Sequence, residues 1–486
     1  MDRRSFLQVG SAATAAGLMT RAERVDAQTH EGHGAPAAAT PTPTPTATST
    51  SPRAAAIARR FPAGQPGVTV PNGATLPLRV VDGVKVGHLV VESFPNEFSP
   101  ELTAEVWGYN GTTPGPVIEL VEGDRLRMYV TNRLPEPTTV HWHGIVLPNG
   151  MDGVSGLTQR PIPPGETWMY EFTLRHPGTF MYHSHFDEMT QIALGAVGMI
   201  VVHPRQARGP RVDRDFVLMA HEWKIEAGAR RPDPNAMNDF NVLTFNGKAF
   251  PSTAPLMVGK GERVRIRLGN LGPMDHHPIH LHGLWFHVTA TDGGYVPVSA
   301  QRPETTVLVP VGATRVIEFV PPESGDWAVH CHMTHHVMMQ MAHGLPNMVG
   351  MNPRTLERRM SRVMPEFMTM GHTGMGGMGE MRMEIPPNSA PMRGGMGQHS
   401  YIDMGGMFTV LKVRDDVSTA DPAGWYQAPA GTVPAAADEA RLRADGIDRC
   451  APGRREMAVP SAPTRPSRPP LARPERQGAP RARPHR

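Results

Sequence analysis

Two stretches near the middle of the chain alternate polar and apolar residues in the same order. Residues 123–132 read Gly-Asp-Arg-Leu-Arg-Met-Tyr-Val-Thr-Asn, and residues 261–270 read Gly-Glu-Arg-Val-Arg-Ile-Arg-Leu-Gly-Asn. Successive side chains of a β-strand point to opposite faces, so this alternation predicts two half-buried strands, each entered through a turn of glycine and an acidic residue. The repetition indicates that one strand-rich unit occurs twice.

Pairs of histidines separated by one residue support the duplication. There are four such pairs, at His141 and His143, His183 and His185, His280 and His282, and His330 and His332. The first and third pairs follow the two predicted strands at nearly the same distance, and the second and fourth pairs lie eighteen residues after Gly165 and Gly312. We therefore predict an all-β protein with two homologous domains, at residues 71–204 and 205–414, each a short-stranded sandwich of the Greek-key type.

The composition agrees with short strands joined by turns. The 486 residues include 51 Pro and 50 Gly but only 6% aromatic residues, which disfavours a helical bundle. The formal net charge is +3, and a fair share of the arginines lies in a Pro/Arg-rich tail at residues 415–486, which we predict to be disordered. Because this balance singles out no basic binding face, we expect no nucleic-acid partner.

The amino-terminal residues are typical of an export signal. Arg3 and Arg4 precede a weakly apolar stretch at residues 9–19, which is too short to span a bilayer. We predict a twin-arginine signal peptide at residues 1–27 and a disordered Ala/Thr/Pro linker at residues 28–70. The protein would then be exported to the periplasm or secreted, without a membrane span.

The chain is rich in residues that bind metals, with 23 histidines and 31 methionines. Residues two apart in a strand share a face, so each histidine pair presents two imidazoles at chelating separation. Imidazole suits copper, zinc, iron and nickel, and the pairs alone leave these metals open. Cys331 narrows the choice, because its thiolate faces the side of the strand opposite the two flanking histidines. There His277, His336 and Met341 complete a blue-copper ligand set of two histidines, one cysteine and a weak thioether.

The cysteine content supports this interpretation. The chain has two cysteines, Cys331 and Cys450, which rules out a disulfide scaffold. A buried free thiol is the alternative for Cys331, but spacings of five residues to His336 and ten to Met341 favour a ligand. Ser184 occupies the equivalent position in the first domain, so we expect that domain to supply histidines but no blue-copper site. Cys331 is also covalently continuous with both neighbouring histidines, which gives an electron a through-bond path to metal on the other face.

Together these motifs resemble the copper-binding motifs of the multicopper oxidases. The likeness runs from about Trp107 to Met341 and includes Asn-Gly-Thr-Thr-Pro-Gly-Pro at residues 110–116 and His-Pro-Gly-Thr-Phe-Met-Tyr at residues 176–182. Two domains with the cysteine in the second resemble the bacterial two-domain laccases. The resemblance implies cupredoxin-like domains and a reaction in which one-electron oxidation of a donor is coupled to four-electron reduction of O2 to water.

The resemblance also implies four copper ions per active unit and assigns their ligands. One type 1 copper would be held by His277, Cys331, His336 and Met341. One type 2 copper would be held by His141 and His280. Two type 3 coppers would be held by His143, His183 and His332 and by His185, His282 and His330.

Each domain carries four of the eight cluster histidines, so the cluster must form between a first and a second domain. In the resembling two-domain enzymes these come from neighbouring subunits, which implies a homotrimer with clusters at the subunit interfaces. Asp152, just past the first histidine pair, matches an acidic residue that resembles a proton relay in relatives, and we predict it as catalytic together with Cys331. A turn residue before Gly153 is the alternative for Asp152. Where many relatives place a second acid, this chain has His335.

A methionine-rich insertion at residues 343–404 precedes a final predicted strand at residues 406–413. Thioether sulfur prefers Cu(I), so the insertion favours a docking site for cuprous ions or a lid over the substrate, with adaptable packing as the alternative. We predict a laccase-like oxidase of phenolic or aromatic donors, with a cuprous oxidase for copper tolerance as the alternative. A copper-storage protein would not need the complete ligand set, and a copper nitrite reductase would need the cysteine in the first domain, where Ser184 stands.

Overall fold

The computed structural model describes residues 61, 65–337, 353–365, 388 and 394–447. The first sandwich consists of strands β1 (Arg79–Val81), β2 (Val84–Ser99), β3 (Leu102–Tyr109), β4 (Gly115–Val121), β5 (Arg125–Asn132), β6 (Thr167–Thr173), β7 (Gly178–His183) and β8 (Val197–His203). One sheet has the order β1-β2-β5-β6, with β3 also paired to β2, and the other has the order β4-β8-β7. Apolar side chains from both sheets, such as Leu126 and Ile200, form one core between them.

The second sandwich repeats this architecture with more strands. They are β9 (Arg214–Trp223), β10 (Val242–Phe245), β11 (Leu256–Gly259), β12 (Val264–Asn270), β13 (His277–Leu281), β14 (Phe286–Thr291), β15 (Gly294–Tyr295), β16 (Pro303–Glu304), β17 (Thr306–Val309), β18 (Ala313–Phe319), β19 (Gly325–Cys331) and β22 (Phe408–Arg414). One sheet has the order β10-β9-β12-β18-β14-β15, with β16 paired to β14, and the other has the order β11-β22-β19-β13-β17. The all-β fold of two sandwiches predicted from the sequence is confirmed.

The two predicted repeat strands, β5 and β12, occupy equivalent places. β5 runs parallel to β2 and antiparallel to β6, and β12 runs parallel to β9 and antiparallel to β18. The prediction that both are half-buried holds for β5 but is wrong for β12, every residue of which is buried. The reason is that Arg267 on the polar face of β12 is covered by the first sandwich. Its guanidinium group bonds Asp215 at 2.8 Å and the Thr179 hydroxyl of β7 at 2.7 Å.

Helical segments are short. The helices of the described residues are α1 (Glu188–Ala193), α2 (Pro353–Met360) and α3 (Glu439–Ala444), with single 3-10 turns at Asn149–Met151, Val298–Ala300 and Thr334–Val337. Strands β20 (Gly395–Met396) and β21 (Tyr401–Ile402) pair with each other inside the predicted insertion. Among the described residues, the helices fall short of the length and apolar character that a membrane crossing requires.

The structure moves two predicted boundaries. Residues 65–70, at the end of the predicted linker, contact the sandwiches, since Gln65 is buried and Thr69 forms a β-bridge with Phe216. Residues 415–447, at the start of the predicted tail, also contact the second sandwich, where the Tyr426 amide donates to Asp326 and the Lys412 ammonium donates to the Pro422 carbonyl. These contacts are mostly polar, so a search for apolar periodicity does not find them. The predicted signal peptide, Met341 and Cys450 lie outside the described residues.

Candidate metal centres

Cys331 ends β19 and places its sulfur between two histidine rings. Its Sγ lies 3.4 Å from Nδ1 of His336 and 3.8 Å from Nδ1 of His277, and these two nitrogens are 3.2 Å apart. β13 carries His277 next to β19, because Ile279 pairs with Cys331, and the 3-10 turn Thr334–Val337 returns His336 to the same place. All three side chains are buried. We call this group the Cys331 site.

The donor set of the Cys331 site fits a bound cation. Burial, with a smaller contribution from the carboxylates of Asp275 and Glu222, raises the pKa of the Cys331 thiol to about 12. A thiol with this pKa stays protonated at neutral pH unless a metal ion replaces its proton. Two nitrogen atoms and one sulfur that converge in an apolar pocket match the ligand preference of copper better than that of magnesium or calcium, which prefer oxygen.

Two carboxylates contact the outer edges of the histidine rings in the Cys331 site. Nε2 of His277 lies 3.0 Å from Oε2 of Glu222, and Nε2 of His336 lies 3.4 Å from Oδ2 of Asp275. The Glu222 side chain is fully buried, whereas the Asp275 side chain is 36% exposed. Burial acts to raise the pKa of Glu222, but its hydrogen bond with His277 and the nearby imidazoles lower it more, and the net shift is downward.

A first histidine set lies at one end of the first sandwich and consists of His141, His143, His183 and His185. The ligand atoms of the first three approach one another within 4.8 Å, and the His185 ring lies 5.4 Å from that of His141. Burial, with a smaller contribution from the neighbouring imidazoles, lowers the pKa of His183 to about 3. The ring is therefore neutral near pH 7 and keeps a lone pair for a metal.

Asp152 is held against this first set by its backbone. Nδ1 of His141 lies 2.8 Å from the carbonyl oxygen of Asp152 and 3.4 Å from its Oδ1. The chain turns at Gly153, whose φ is +84° and whose hypothetical Cβ would lie 1.8 Å from the carbonyl oxygen of Val140. Only glycine fits this turn, which explains how the sequence Asp-Gly fixes the acid beside the histidine.

A second histidine set lies at the equivalent end of the second sandwich and consists of His280, His282, His330 and His332. Neighbouring rings of this set have centroids 4.7 to 5.6 Å apart. His280 and His282 of this set line an open cleft of about 780 Å³ whose lining also includes the 72% exposed Trp285. Within the described part of the chain, ring contacts join members of the same set and none joins the first set to the second.

Three acidic residues at these centres were not predicted from the sequence. Asp275 lies two positions before His277, and this proximity was a usable signal. Glu188, which begins α1, places Oε1 3.3 Å from Nε2 of His185, and it lies three positions after that histidine. Glu222 reaches His277 from β9, fifty-five residues earlier in the chain, so only the fold reveals it.

The fold and the Cys331 site define a class of two-sandwich proteins with a buried cysteine–histidine metal site. Family models described as multicopper oxidase match residues 91–207 and residues 226–350. The chain belongs to the multicopper oxidase family, as its motifs predicted, and membership of this family implies copper binding.

Relatives and solved structures agree with this membership. The chain is 31% identical over 242 residues to a copper resistance protein A of Escherichia coli, with 40% of each chain covered. It is 34% identical over 245 residues to a dihydrogeodin oxidase of Aspergillus terreus, with 45% of this chain and 38% of that protein covered. The chain spans about half the length of such curated relatives or less.

Among solved structures, the blue copper oxidase of Nitrosomonas europaea has a TM-score of 0.50 at 24% identity, which shows the shared fold. The multicopper oxidase mgLAC has the same TM-score of 0.50 at 27% identity. Each comparison covers 67% of this chain and 85% of the solved chain.

Proposed function

We propose that this protein is a laccase-like oxidase that takes electrons from small organic donors at the Cys331 site and passes them to O2 at a copper cluster built from the two histidine sets. One observation carries the proposal: the sulfur of Cys331 faces His277 and His336, while the residues on either side of it in the chain belong to the second histidine set. A single peptide segment thus joins an electron-accepting site to a cluster site. This arrangement suits an oxidase better than a storage protein, which has no need of such a connection.

The geometry of the Cys331 site supports three of the proposed ligands, and the family resemblance implies the rest. His277, Cys331 and His336 would hold a type 1 copper, with Met341 as the fourth predicted ligand. The two histidine sets would hold one type 2 and two type 3 coppers, with His141 and His280 on the type 2 ion, His143, His183 and His332 on one type 3 ion, and His185, His282 and His330 on the other. When bound, copper supplies one-electron redox chemistry and reduction of O2.

The residues of the chain supply the other functions. Burial of Cys331 and His277 excludes water from the type 1 site, and the partly exposed Asp275 places a carboxylate at the edge of His336, where it can accept a proton from a phenolic donor. Asp152 lies beside His141 and is the proposed proton relay to the cluster.

The two histidine sets require two copies of the chain in this proposal. Each set offers four imidazoles, and His280 and His282 of the second set line the cleft beside the exposed Trp285. A second copy that places its first set over this cleft would complete the eight ligands and cover the tryptophan. We propose a homotrimer in which three such contacts close a ring, with export through the twin-arginine route.

A cuprous oxidase is the second candidate, and one observation favours it. Met274 is 47% exposed and directly precedes Asp275, which touches His336. A thioether and a carboxylate at the edge of the type 1 site would suit Cu(I) as the donor. The predicted docking role of the methionine-rich insertion belongs to the same alternative.

Oxygen uptake by the copper-loaded protein, supplied in parallel with a methoxyphenol and with stabilised Cu(I), separates the two candidates. Faster uptake with the phenol supports the laccase-like function. Faster uptake with Cu(I), lost in Met274→Leu, supports the cuprous oxidase. Stoichiometric copper binding without uptake from either donor would contradict both.

A further inference from the structure

Glu222 is an ionisable side chain that the fold buries completely beside the Cys331 site. It lies on β9 with no exposed side-chain surface, and its Oε2 is 3.0 Å from Nε2 of His277. Its other oxygen, Oε1, accepts hydrogen bonds from the backbone amides of Met274 at 2.7 Å and Asp275 at 2.8 Å. Three donors thus fix both oxygens of one carboxylate.

The loop before His277 is built around this carboxylate. A Cβ atom at Gly272 would lie 1.9 Å from Oε2 and 2.5 Å from the carboxyl carbon of Glu222. Any other residue at 272 would therefore displace the carboxylate, because a contact below 3.0 Å cannot be accommodated without movement. The glycine packs against Oε2 and the two amides bond Oε1, so both oxygens of the fully buried carboxylate are enclosed.

The hydrogen bond of Glu222 determines the form of His277. A carboxylate can only accept a hydrogen bond, so Nε2 of His277 must carry the proton and Nδ1 of His277 keeps its lone pair. That Nδ1 is the atom that faces Sγ of Cys331 and Nδ1 of His336. A carboxylate bonded to a ligand histidine also makes the imidazole a stronger donor to a metal ion.

We propose that Glu222 is a positioning residue that fixes the tautomer of His277 and lowers the reduction potential of the copper held at the Cys331 site. This inference rests on the proposed function. A buried negative charge stabilises Cu(II) more than Cu(I), because the ion with the larger positive charge interacts more strongly with it. The partly exposed Asp275 on the other histidine is screened by water and has a smaller effect.

The two histidines of the Cys331 site therefore have different roles. The Glu222 side sets the potential and is closed to donors, since both His277 and Glu222 are fully buried. The His336 side, with its partly exposed Asp275, is where donors make contact. A lowered potential restricts the protein to donors that are themselves easily oxidised.

The test is a redox titration that follows the blue absorption of the copper-loaded full chain in the wild type and in Glu222→Gln. The glutamine has nearly the same shape but carries no charge. We expect the Cu(II)/Cu(I) equilibrium of the variant to shift at least tenfold toward Cu(I), which for a one-electron couple is about 59 mV upward. An unchanged potential in a variant that stays blue overturns the inference.

A matched control is present in the same chain. Glu119 and His203 form a second buried carboxylate–imidazole pair, 2.8 Å apart, in the first sandwich. Glu119→Gln removes the same charge from a comparable pair away from Cys331, and we expect it to leave the potential within error of the wild-type value. An equal shift in both variants would mean that the effect is a general one of net charge and would overturn the role of Glu222.

Two further arms keep the result interpretable. If Glu222→Gln does not fold, Glu222→Asp is measured instead. The shorter side chain keeps the negative charge but moves it away from His277. A reduction potential above the wild-type value supports the inference, and an identical reduction potential refutes it. If the copper-loaded wild type shows no blue absorption at all, the proposed type 1 site is itself wrong. This outcome differs from that of a blue protein whose reduction potential does not change when Glu222 is substituted.

Discussion

The two sandwiches place different chemistry at equivalent positions of the same strand framework. In the second sandwich, Cys331 lies between two histidines of the second set and its sulfur faces His277, three residues before His280. In the first sandwich, Ser184 takes the place of the cysteine and Thr138, three residues before His141, takes the place of His277. The hydroxyl groups of Ser184 and Thr138 are 3.2 Å apart.

The space that forms the candidate metal site in the second sandwich is filled by a closed hydrogen-bond network in the first. Ser184 donates to Oε1 of Gln191 at 2.6 Å, Thr138 donates to the same oxygen at 2.8 Å, and Nε2 of Gln191 donates to the Pro137 carbonyl at 2.8 Å. All polar groups there have partners, so the site has no unused ligand for a metal. The comparison teaches that the histidine pairs are the shared feature of the duplicated unit, whereas the pocket behind them is free to change its function.

Cys331→Ser is the strongest test of the comparison, because it gives the second sandwich the residue that the first sandwich has at the equivalent position, Ser184. We expect complete loss of the blue absorption and of donor oxidation, with copper retained in the histidine sets, since only the thiolate on the opposite strand face is removed. Visible spectroscopy and metal analysis measure both. Retained blue colour would show that Cys331 is not the ligand.

His183→Ala tests the other side of the comparison, the shared histidines. The blue absorption should persist because the Cys331 site is untouched. Oxygen uptake should fall by at least about 100-fold, the loss expected when several kcal/mol of metal-assisted catalysis disappear. Oxygen uptake at the wild-type rate would contradict the proposed role of His183 as a cluster ligand. Loss of the blue absorption would indicate that the variant is misfolded.

The metal-free protein should show opposite pH sensitivities in its two regions. Burial lowers the pKa of His183 to about 3 from 6.5, so its contribution to stability is complete above pH 6.5 and is lost as the pH falls toward 3. Burial raises the pKa of the Cys331 thiol to about 12 from 9.0, so its contribution is complete below pH 9.0 and is lost as the pH rises toward 12.

Each contribution is of the order of a few kcal/mol, at about 1.4 kcal/mol per pKa unit. Denaturant midpoints of the chelated protein, measured across pH, check the signs. The alkaline decline should become shallower in Cys331→Ser, because serine does not ionise there. An alkaline limb that is identical in this variant would contradict the assignment of the shift to Cys331.

Gln191→Leu opens the hydrogen-bond network of the first sandwich. It removes the nearest acceptor of the buried hydroxyl groups of Ser184 and Thr138, which should cost about 1–3 kcal/mol in the free energy of unfolding. Thermal unfolding gives the measurement, with Gln427→Leu at an exposed position as the control, expected to change stability by less than about 0.5 kcal/mol. Equal effects in the two variants would argue against the network.

Ser184→Cys is the reciprocal of the first substitution and has the smallest expected effect on colour. We expect no blue absorption from the first sandwich, because Thr138 stands where His277 would be needed, and a modest loss of stability of about 1 kcal/mol from weaker hydrogen bonds. The double variant with Cys331→Ser has no blue absorption from the second sandwich, so any new absorption band from the first sandwich would be visible. A new band would show that the histidine pairs alone suffice for a blue site.

Much of the fold was predictable because its signals are local and repeated. The alternation in residues 123–132 and 261–270 located β5 and β12, and the matching offsets of the histidine pairs indicated the duplication. The buried polar face of β12 was not predictable. Its arginines meet partners such as Asp215 and Thr179 that lie far away in sequence, and alternation cannot distinguish water from a second sandwich as the environment of that face.

The sequence by itself determined which atoms are available for chemistry. Residues two apart in a strand must share a face, so the placement of Cys331 opposite its neighbouring histidines followed from the spacing alone. Only the tertiary structure decided what surrounds those atoms. Glu222 arrives from β9 to hold His277, Asp275 stays partly exposed at His336, and the two histidine sets form separate groups of rings. The physical reason is that strand periodicity acts over two residues, whereas burial, charge and screening depend on elements that the chain brings together from fifty or more residues apart.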